Sequence, residues 1–288
     1  MSTLGEFLAD AARRLGEAGV DEGNLVAAWL AAEGTGIPRL ELPLHANRML
    51  SRENARELEE FLRRLLLHEP LQYVLGHTSF LGDRILTDRR VLIPRPETEV
   101  LVEKAGEFCA GREEGVIYLA DIGTGSGCIA IALARRNPGV RLVAVDISPG
   151  AVLLAKENIR RHRLEDRVTV LEGDLLAGVG PAYFEAIVAN LPYVSKSELE
   201  SLPRNVADFE PRVALDGGPA GLDLFYRLVP QAATRLVRSG RLFLEIGEEQ
   251  AGALRRILLE NGFQDIRVHQ DLSGRERVVE ACVRAEDR

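Results

Sequence analysis

Beyond Gly115 the sequence alternates between short apolar segments of strand character and longer segments with helical spacing. This alternation restricts the fold more than any other feature, because strands separated by helices form a parallel sheet covered on both faces. Strand-like segments lie at 116–122, 141–147, 168–171 and 184–189. Helices are predicted over 127–136 and from Ser148, which is placed as an N-cap before Pro149. The pattern therefore predicts an α/β fold.

The last part of the chain departs from this alternation. A helix is predicted near 221–238, closed by Gly240 and followed by a strand over 241–246. A further helix is closed by Gly262, and two strand-like segments, 264–269 and 277–283, then follow each other directly. Successive strands with no helix between them pair antiparallel, so we expect an antiparallel edge.

The first 68 residues have apolar residues at helical spacing and no strand signal. Asp21 and Ser51 are placed as N-caps of two of the predicted helices. Residues 69–95 are predicted to be a linker that contains a β-hairpin, with extended segments at 72–75 and 90–93, and a helix is expected over 96–109. The predicted domains are a helical bundle over 1–68, the linker over 69–95 and an α/β domain over 96–288.

Composition narrows the range of partners. The 288 residues carry 36 Lys and Arg against 44 Asp and Glu, a net charge of −8, and such a surface repels phosphate backbones. The segment 1–68 is also acidic, with 8 Arg against 11 Asp and Glu. Direct binding to nucleic acid is therefore not expected.

The three cysteines lie far apart in apolar segments, which indicates reduced thiols in the core and a reducing compartment. No apolar run reaches the roughly 18 residues of a membrane span, and Glu6 and Asp10 stand where a signal peptide would be basic and then apolar. We expect a cytoplasmic protein with no membrane contact. The five histidines show no ligand spacing, so no metal site is predicted.

A glycine-rich loop joins the first strand of the α/β domain to its helix, and its residues are Gly123, Thr124, Gly125, Ser126 and Gly127. At this position an open parallel sheet presents backbone N–H groups and a crevice to a nucleotide. Glycines allow the sharp turn and the close approach of the ligand. A dinucleotide fingerprint would have a third glycine where Cys128 stands, which disfavours a nicotinamide cofactor.

Two acidic residues follow the next two strands. Asp146 can accept both hydroxyls of a ribose, and Asp174 can accept from the amino group of adenine. An adenosine with free ribose hydroxyls and no pyrophosphate fits this set. S-adenosylmethionine is the predicted cofactor.

The fourth strand ends in the tetrapeptide Asn190, Leu191, Pro192 and Tyr193. The Asn190 side-chain oxygen and the Leu191 carbonyl can each accept one N–H of a planar amino group and hold its face toward an incoming methyl group. Pro192 keeps Leu191 extended, and Tyr193 can lie over the amide as a wall. Since the nitrogen gains positive charge as the methyl group is transferred, both hydrogen bonds strengthen in the transition state.

These motifs resemble those of the protein-(glutamine-N5) methyltransferases that modify peptide chain release factors, the HemK/PrmC family. The resemblance covers nearly the whole chain and includes residues 69–73 with Gly76, 93–99, 209–211, 214–215, 221–222, 245–247, 271–272 and 274–275. It implies a class I S-adenosylmethionine-dependent methyltransferase domain, Rossmann-like with a seven-stranded sheet, after a helical-bundle domain that binds the release factor.

The resemblance also implies the roles of the site residues. Contacts to S-adenosylmethionine are assigned to Gly123, Thr124, Gly125, Ser126, Gly127, Asp146, Asp174, Leu175 and Asn190. The residues Asn190, Leu191, Pro192 and Tyr193 are assigned to catalysis and to the glutamine of the Gly-Gly-Gln loop of the partner. The family usually has two prolines in this tetrapeptide, and here Leu191 replaces the first. The acceptor carbonyl is kept, while the backbone at that position loses the restraint of a proline ring.

Three other functions are compatible with parts of the pattern. An enzyme that methylates adenine amino groups of nucleic acid uses a similar tetrapeptide, but the net charge argues against it. A glutamine methyltransferase of a ribosomal protein is a closer alternative, and only the short helical N-terminal domain of this sequence argues against it. A non-catalytic S-adenosylmethionine sensor would have no need of the tetrapeptide.

Overall fold

The computed structural model describes residues 2–112, 115–180 and 183–283. The chain forms two compact units. The first contains the chain up to His77 together with Pro203–Phe209, and the second contains Thr78–Leu202 and the chain from Glu210 onward. The predicted outer domain ends, residues 1 and 288, lie outside the described residues.

The N-terminal unit is helical. Its helices are α1 (Leu4–Glu17), α2 (Gly23–Thr35), α3 (Arg52–Leu66) and α4 (Leu71–Leu75), with a 3₁₀ helix over Arg39–His45. Leucines and alanines from one face of each helix form its core, among them Leu4, Leu15, Leu30, Ala31, Leu58 and Leu62.

Two local predictions for this unit are wrong. Ser51 caps α3 as expected, but Asp21 caps nothing, because Glu22 precedes α2 in a left-handed conformation without a side-chain hydrogen bond. Residues 72–75 are helical rather than extended. The amides of Tyr73 and Val74 both donate to the carbonyl of Pro70, a hydrogen-bonding pattern that only a helical turn provides.

A β-hairpin follows, formed by β1 (His77–Phe80) and β2 (Asp83–Leu86). The predicted extended segment at 90–93 forms no strand. The buried side chain of Glu210 binds this segment instead, since one carboxylate oxygen accepts from the Ile93 amide at 3.2 Å and the other from the guanidinium of Arg95. A strand there would have required a neighbouring strand as partner.

The second unit continues in alternation up to the third strand of its sheet, and no helix lies between the third and fourth strands among the described residues. Its next elements are α5 (Glu99–Ala110), β3 (Ile117–Ile122), α6 (Cys128–Arg136), β4 (Val140–Asp146), α7 (Pro149–Arg161), β5 (Val168–Glu172) and β6 (Phe184–Ala189). The remaining elements are α8 (Lys196–Leu199), α9 (Arg204–Ala207, within the first unit), α10 (Asp223–Arg235), β7 (Leu236–Glu245), α11 (Ala251–Glu260), β8 (Phe263–Gln270) and β9 (Glu276–Val283).

Seven strands form one sheet in the order β5-β4-β3-β6-β7-β9-β8. Strands β3 to β7 are parallel, and β9 pairs antiparallel with both β7 and β8. The α/β fold and the antiparallel edge are thus confirmed. Helices cover both faces of the sheet, and an apolar core lies between the sheet and the helices on each face. The three cysteines are buried and free, as predicted.

Two boundaries differ from the prediction for identifiable reasons. The helix expected from Pro96 begins at Glu99, because Pro96–Thr98 form a 3₁₀ turn. Gly240 does not close a helix but lies inside β7, which begins at Leu236 because that residue pairs with Phe184 of β6. A register shift in this pairing accommodates the additional residues. None of the helices in the described ranges is both long and apolar enough to cross a membrane.

Candidate active site

A cavity of about 530 Å³ lies in the second unit at the carboxyl ends of the parallel strands. Most of its walls come from segments that follow β3, β4, β5 and β6, the position at which open α/β sheets bind ligands. All residues of the predicted glycine loop except Gly127 line the cavity. The lining also includes Thr98, Asp146, Asp174, Leu175, Asn190, Leu191 and Pro192. The predicted site residues therefore converge, with Gly127 and Tyr193 as the two that do not line the cavity.

The glycine loop has a conformation that requires its glycines. Gly123, Gly125 and Gly127 have φ values of +73°, +55° and +82°, in the region that residues with a Cβ rarely adopt. The amides of Gly123 and Thr124 both donate to the Val145 carbonyl at 2.8 and 3.0 Å, which ties the loop to the end of β4. A Cβ at Gly123 would lie 3.1 Å from a methyl group of Leu191, so the loop and the tetrapeptide are in close contact.

Asp146 organises the same loop. One carboxylate oxygen accepts from the Gly125 amide at 2.8 Å, and the other accepts from the Ser148 amide at 2.9 Å. Burial raises the pKa of this carboxyl group, while the backbone hydrogen bonds oppose the rise. Each oxygen keeps a second lone pair, so a pair of ribose hydroxyls can still bind.

Replacing Asp146 by Ala should weaken binding of S-adenosylmethionine by about 10- to 100-fold, because the charged acceptor for ribose and the support of the Gly125 amide are both lost. Isothermal titration calorimetry measures this directly. Asp83→Ala provides the matched control, since Asp83 pairs with Arg135 at 3.0 Å and neither residue lines the cavity. An Asp146 variant with the affinity of this control would remove Asp146 from the cofactor site.

Asp174 and Leu175 reach the cavity in different ways. Leu175 is buried, with a φ of +53°, and its side chain belongs to the core beneath the cavity. The carboxylate of Asp174 is half exposed and pairs with the Arg227 guanidinium at 2.5 Å. Arg227 also lines the cavity. A ligand amino group at Asp174 would therefore share that carboxylate with Arg227.

The tetrapeptide begins where β6 ends. The Asn190 side-chain nitrogen donates to the Thr98 hydroxyl at 3.0 Å, so the side-chain oxygen is the atom left to accept from a ligand. Leu191 is buried, and its side chain lies beside Gly123. Tyr193 packs against the core and donates its hydroxyl to Glu245 at 3.3 Å.

Two further loops contact the tetrapeptide, one before α10 and one after β7. The sequence patterns assigned neither loop to the site. Gly217 lies so close that a Cβ would be 2.7 Å from the Pro192 carbonyl oxygen, and at Gly221, with φ of +70°, a Cβ would overlap the Tyr193 carbonyl oxygen. The Gln250 side chain donates to that same carbonyl at 2.9 Å and accepts from the Gly247 amide at 2.9 Å. The motifs at 221–222 and 245–247 were the available signal.

Two buried carboxyl groups lie near the cavity. Burial raises the pKa of Asp121 to about 7, helped by the charge of Asp146 and opposed by a 2.6 Å hydrogen bond from Thr124. Burial likewise raises the pKa of Glu245 to about 7, opposed by the nearby hydroxyl groups of Thr98 and Tyr193 and by the charge of Arg277. Each carboxyl group has one oxygen without a hydrogen-bond partner among the described residues.

Asp121 should make the folded state less stable as pH rises. Its pKa of about 7 lies above the value near 3.9 of an unfolded chain, so the unfolded state binds fewer protons between these values. Stability contributed by the protonated form is lost as pH rises through that window. The melting temperature of Asp121→Asn should therefore rise relative to that of the wild type between pH 5 and pH 8. A difference between the two melting temperatures that does not vary with pH would contradict the assignment.

The fold is that of a class I methyltransferase. Two features define it: the order of the seven strands with an antiparallel pair at one edge, and the glycine-lined cavity at the carboxyl ends of the parallel strands. Residues 6–76 match the family described as PrmC N-terminal domain, and residues 99–205 match the methyltransferase small domain. The chain belongs to the family of release factor glutamine methyltransferases, as its relatives establish.

The release factor glutamine methyltransferase of Geobacter sulfurreducens is 40% identical over 92% of this chain and 91% of its own length. That of Moorella thermoacetica is 40% identical over 99% of this chain and 100% of its own. Among solved structures, a methyltransferase from Pyrococcus furiosus is 17% identical, covers 71% of this chain and 90% of its own, and has a TM-score of 0.53. The last comparison supports the fold alone.

Proposed function

We propose that this protein transfers a methyl group from S-adenosylmethionine to the side-chain amide nitrogen of the glutamine in the Gly-Gly-Gln motif of peptide chain release factors. Membership of the family supports this reaction class. The observation that carries the proposal is the Asn190 amide, whose nitrogen is bound to Thr98 beside the cavity, so that its oxygen can accept from a ligand. A substrate of translation makes the cytoplasm the proposed location.

The residues of the cavity fit the proposed cofactor. The carboxylate of Asp146 suits ribose hydroxyls, and the left-handed glycines leave room for an adenosine close to the backbone. Side chains of Ile122, Val145 and Leu191 supply apolar walls. When bound there, S-adenosylmethionine supplies an electrophilic methyl group on a sulfonium sulfur.

The chain's own residues must overcome the low reactivity of an amide nitrogen, whose lone pair is delocalised into the carbonyl group. The Asn190 oxygen and the Leu191 carbonyl each accept one N–H and so fix the plane of the amide. As positive charge develops on that nitrogen, its N–H groups become stronger donors, and both hydrogen bonds stabilise the transition state more than the ground state. The displaced proton leaves to solvent.

The proposal is tested by incubating the protein with methyl-labelled S-adenosylmethionine and a purified release factor, then locating the label by peptide mass spectrometry. Label on the glutamine of the Gly-Gly-Gln peptide is the expected result. A release factor with that glutamine changed to Glu should remain unlabelled, because an acid presents no N–H pair to the two acceptors. Label on ribosomal protein or on nucleic acid, with none on the release factor, would reject the proposal.

A further inference from the structure

Two short segments add to the lining of the cavity, one on the side of the cofactor loops and one on the side of the tetrapeptide. The first, residues 90–92, comes between β2 and the 3₁₀ turn before α5, and we call it the cofactor wall. Its buried Val91 packs against α7 in one apolar cluster. Since α7 begins just after Asp146, the cofactor wall lies beside the proposed ribose acceptor.

The second segment, Arg212–Ala214, is a 3₁₀ turn, and we call it the acceptor wall. The chain directly after it is tied to the end of the tetrapeptide. The Val194 amide donates to the Leu215 carbonyl at 3.0 Å, and the Gly217 amide donates to the Val194 carbonyl at 2.9 Å. The acceptor wall therefore lies beside the residues proposed to hold the substrate amide.

One buried carboxylate joins the two walls. Glu210 comes just before the acceptor wall, and its side chain is 1% exposed. One of its oxygens accepts from the Ile93 amide at 3.2 Å, and the other accepts from the Arg95 guanidinium. Both donors belong to the chain directly after the cofactor wall. Because neither Glu210 nor Arg95 lines the cavity, any effect on a ligand passes through the walls.

We propose that Glu210 is a positioning residue that clasps the cofactor wall to the acceptor wall and thereby sets the affinity of the cavity for S-adenosylmethionine. The inference rests on the proposed function and adds a residue to the same site. A cavity whose walls are fixed before the ligand arrives binds more tightly, because less ordering accompanies binding. A carboxylate suits this role, since its two oxygens accept from two donors at once and its bond to arginine is charge-assisted.

Glu210→Gln tests the proposal with almost no change of shape. A glutamine has one acceptor oxygen and one NH₂ group, so one of the two donors would face another donor instead of an acceptor. The dissociation constant for S-adenosylmethionine, measured by isothermal titration calorimetry, should rise by about 10-fold. At saturating cofactor and release factor, kcat should fall by less than about threefold, because Asn190 keeps its bond to Thr98.

This division between affinity and kcat separates positioning from a merely structural role. A variant that is only less stable has a lower melting temperature and less folded protein, but its folded molecules keep the wild-type dissociation constant. Both quantities are therefore measured on each variant, with the melting temperature taken in the same buffer as the titration.

Glu280→Gln is the matched control. Glu280 is also a buried carboxylate of the second unit, and it binds Arg241 at 2.6 Å and His269 at 2.9 Å. None of these three residues lines the cavity. The control should lose stability and keep the wild-type dissociation constant. Equal dissociation constants for Glu210→Gln and Glu280→Gln would overturn the proposal.

Arg95→Gln supplies a second test that does not depend on the folding of Glu210→Gln. It keeps the bond from Ile93 to Glu210 and removes only the guanidinium, which is one-third exposed. The dissociation constant should rise by about threefold, while that of Arg241→Gln, which removes the arginine bound to Glu280, should not change. Equal dissociation constants for these two variants would likewise overturn the proposal.

The wild type separates this inference from the proposed function. If it binds S-adenosylmethionine but leaves the release-factor glutamine unlabelled, the proposed function fails, and the dissociation constants still decide the role of Glu210. If it does not bind S-adenosylmethionine, both fail. A wild type that binds and transfers, with Glu210→Gln equal to Glu280→Gln in affinity, rejects the positioning role alone.

Discussion

Asn190→Ala should lower kcat for glutamine methylation by about 10²- to 10³-fold, the cost of removing one preorganised hydrogen-bonding group from a transition state. Among the residues that the structure describes, this side chain makes one hydrogen bond, to Thr98, so the loss of folding stability should be only about 1 kcal/mol. Steady-state transfer of labelled methyl groups, together with a thermal melt, measures both quantities. The protein should remain folded with its activity almost abolished.

Asn261→Ala is the matched control for this prediction. This substitution also removes one hydrogen bond donated by a side-chain nitrogen, the 2.8 Å bond from Asn261 to the Ile257 carbonyl at the end of α11. Asn261 does not line the cavity. Its melting temperature should change about as much as that of Asn190→Ala, while its kcat stays at the wild-type value. If Asn190→Ala keeps kcat within about twofold of this control, the oxygen of Asn190 has no role in transfer.

Gly221→Ala should lower kcat by about 10- to 100-fold and also lower the melting temperature. A methyl group at this position would overlap the Tyr193 carbonyl oxygen, which belongs to the backbone and cannot move without displacing the tetrapeptide. The hydrogen bond from Gln250 to the same carbonyl would be disturbed as well. The position also has a φ of +70°, which adds backbone strain.

Gly82→Ala separates these two effects. Gly82 has a φ of +84° but no atom within 4 Å of an added Cβ, so its variant experiences only the strain of a left-handed residue, about 1–2 kcal/mol. It should lose stability and retain kcat. Equal losses of kcat in the two variants would show that the close contact with Tyr193 is unimportant for transfer.

The α/β architecture could be predicted from sequence because strand and helix periods alternate over long stretches with caps at their ends, as at Ser148. The glycine loop was predictable because glycine has a conformational role that few other residues can fill. The prediction of an extended segment at 72–75 was wrong because the local sequence carries too little information there. That segment is too short for periodicity to separate a helical turn from a strand, and the carbonyl of Pro70 decides the outcome.

The contacts that orient the tetrapeptide could not be predicted from spacing. Thr98 reaches Asn190 from a distant turn, and Glu245 at the end of β7 reaches Tyr193. Such contacts depend on sheet order and register, which a local pattern does not encode. The hydrogen bond from the Tyr193 hydroxyl to Glu245 was beyond a local pattern for the same reason.

The most direct test of the central claim is a crystal structure of this protein with S-adenosylhomocysteine and a release factor. The account predicts that the Asn190 side-chain oxygen and the Leu191 carbonyl oxygen each lie within about 3.2 Å of the glutamine side-chain nitrogen. The face of that amide should point toward the sulfur atom of the cofactor product. A glutamine nitrogen bound by other groups, or an Asn190 that presents its nitrogen to the substrate, would contradict it.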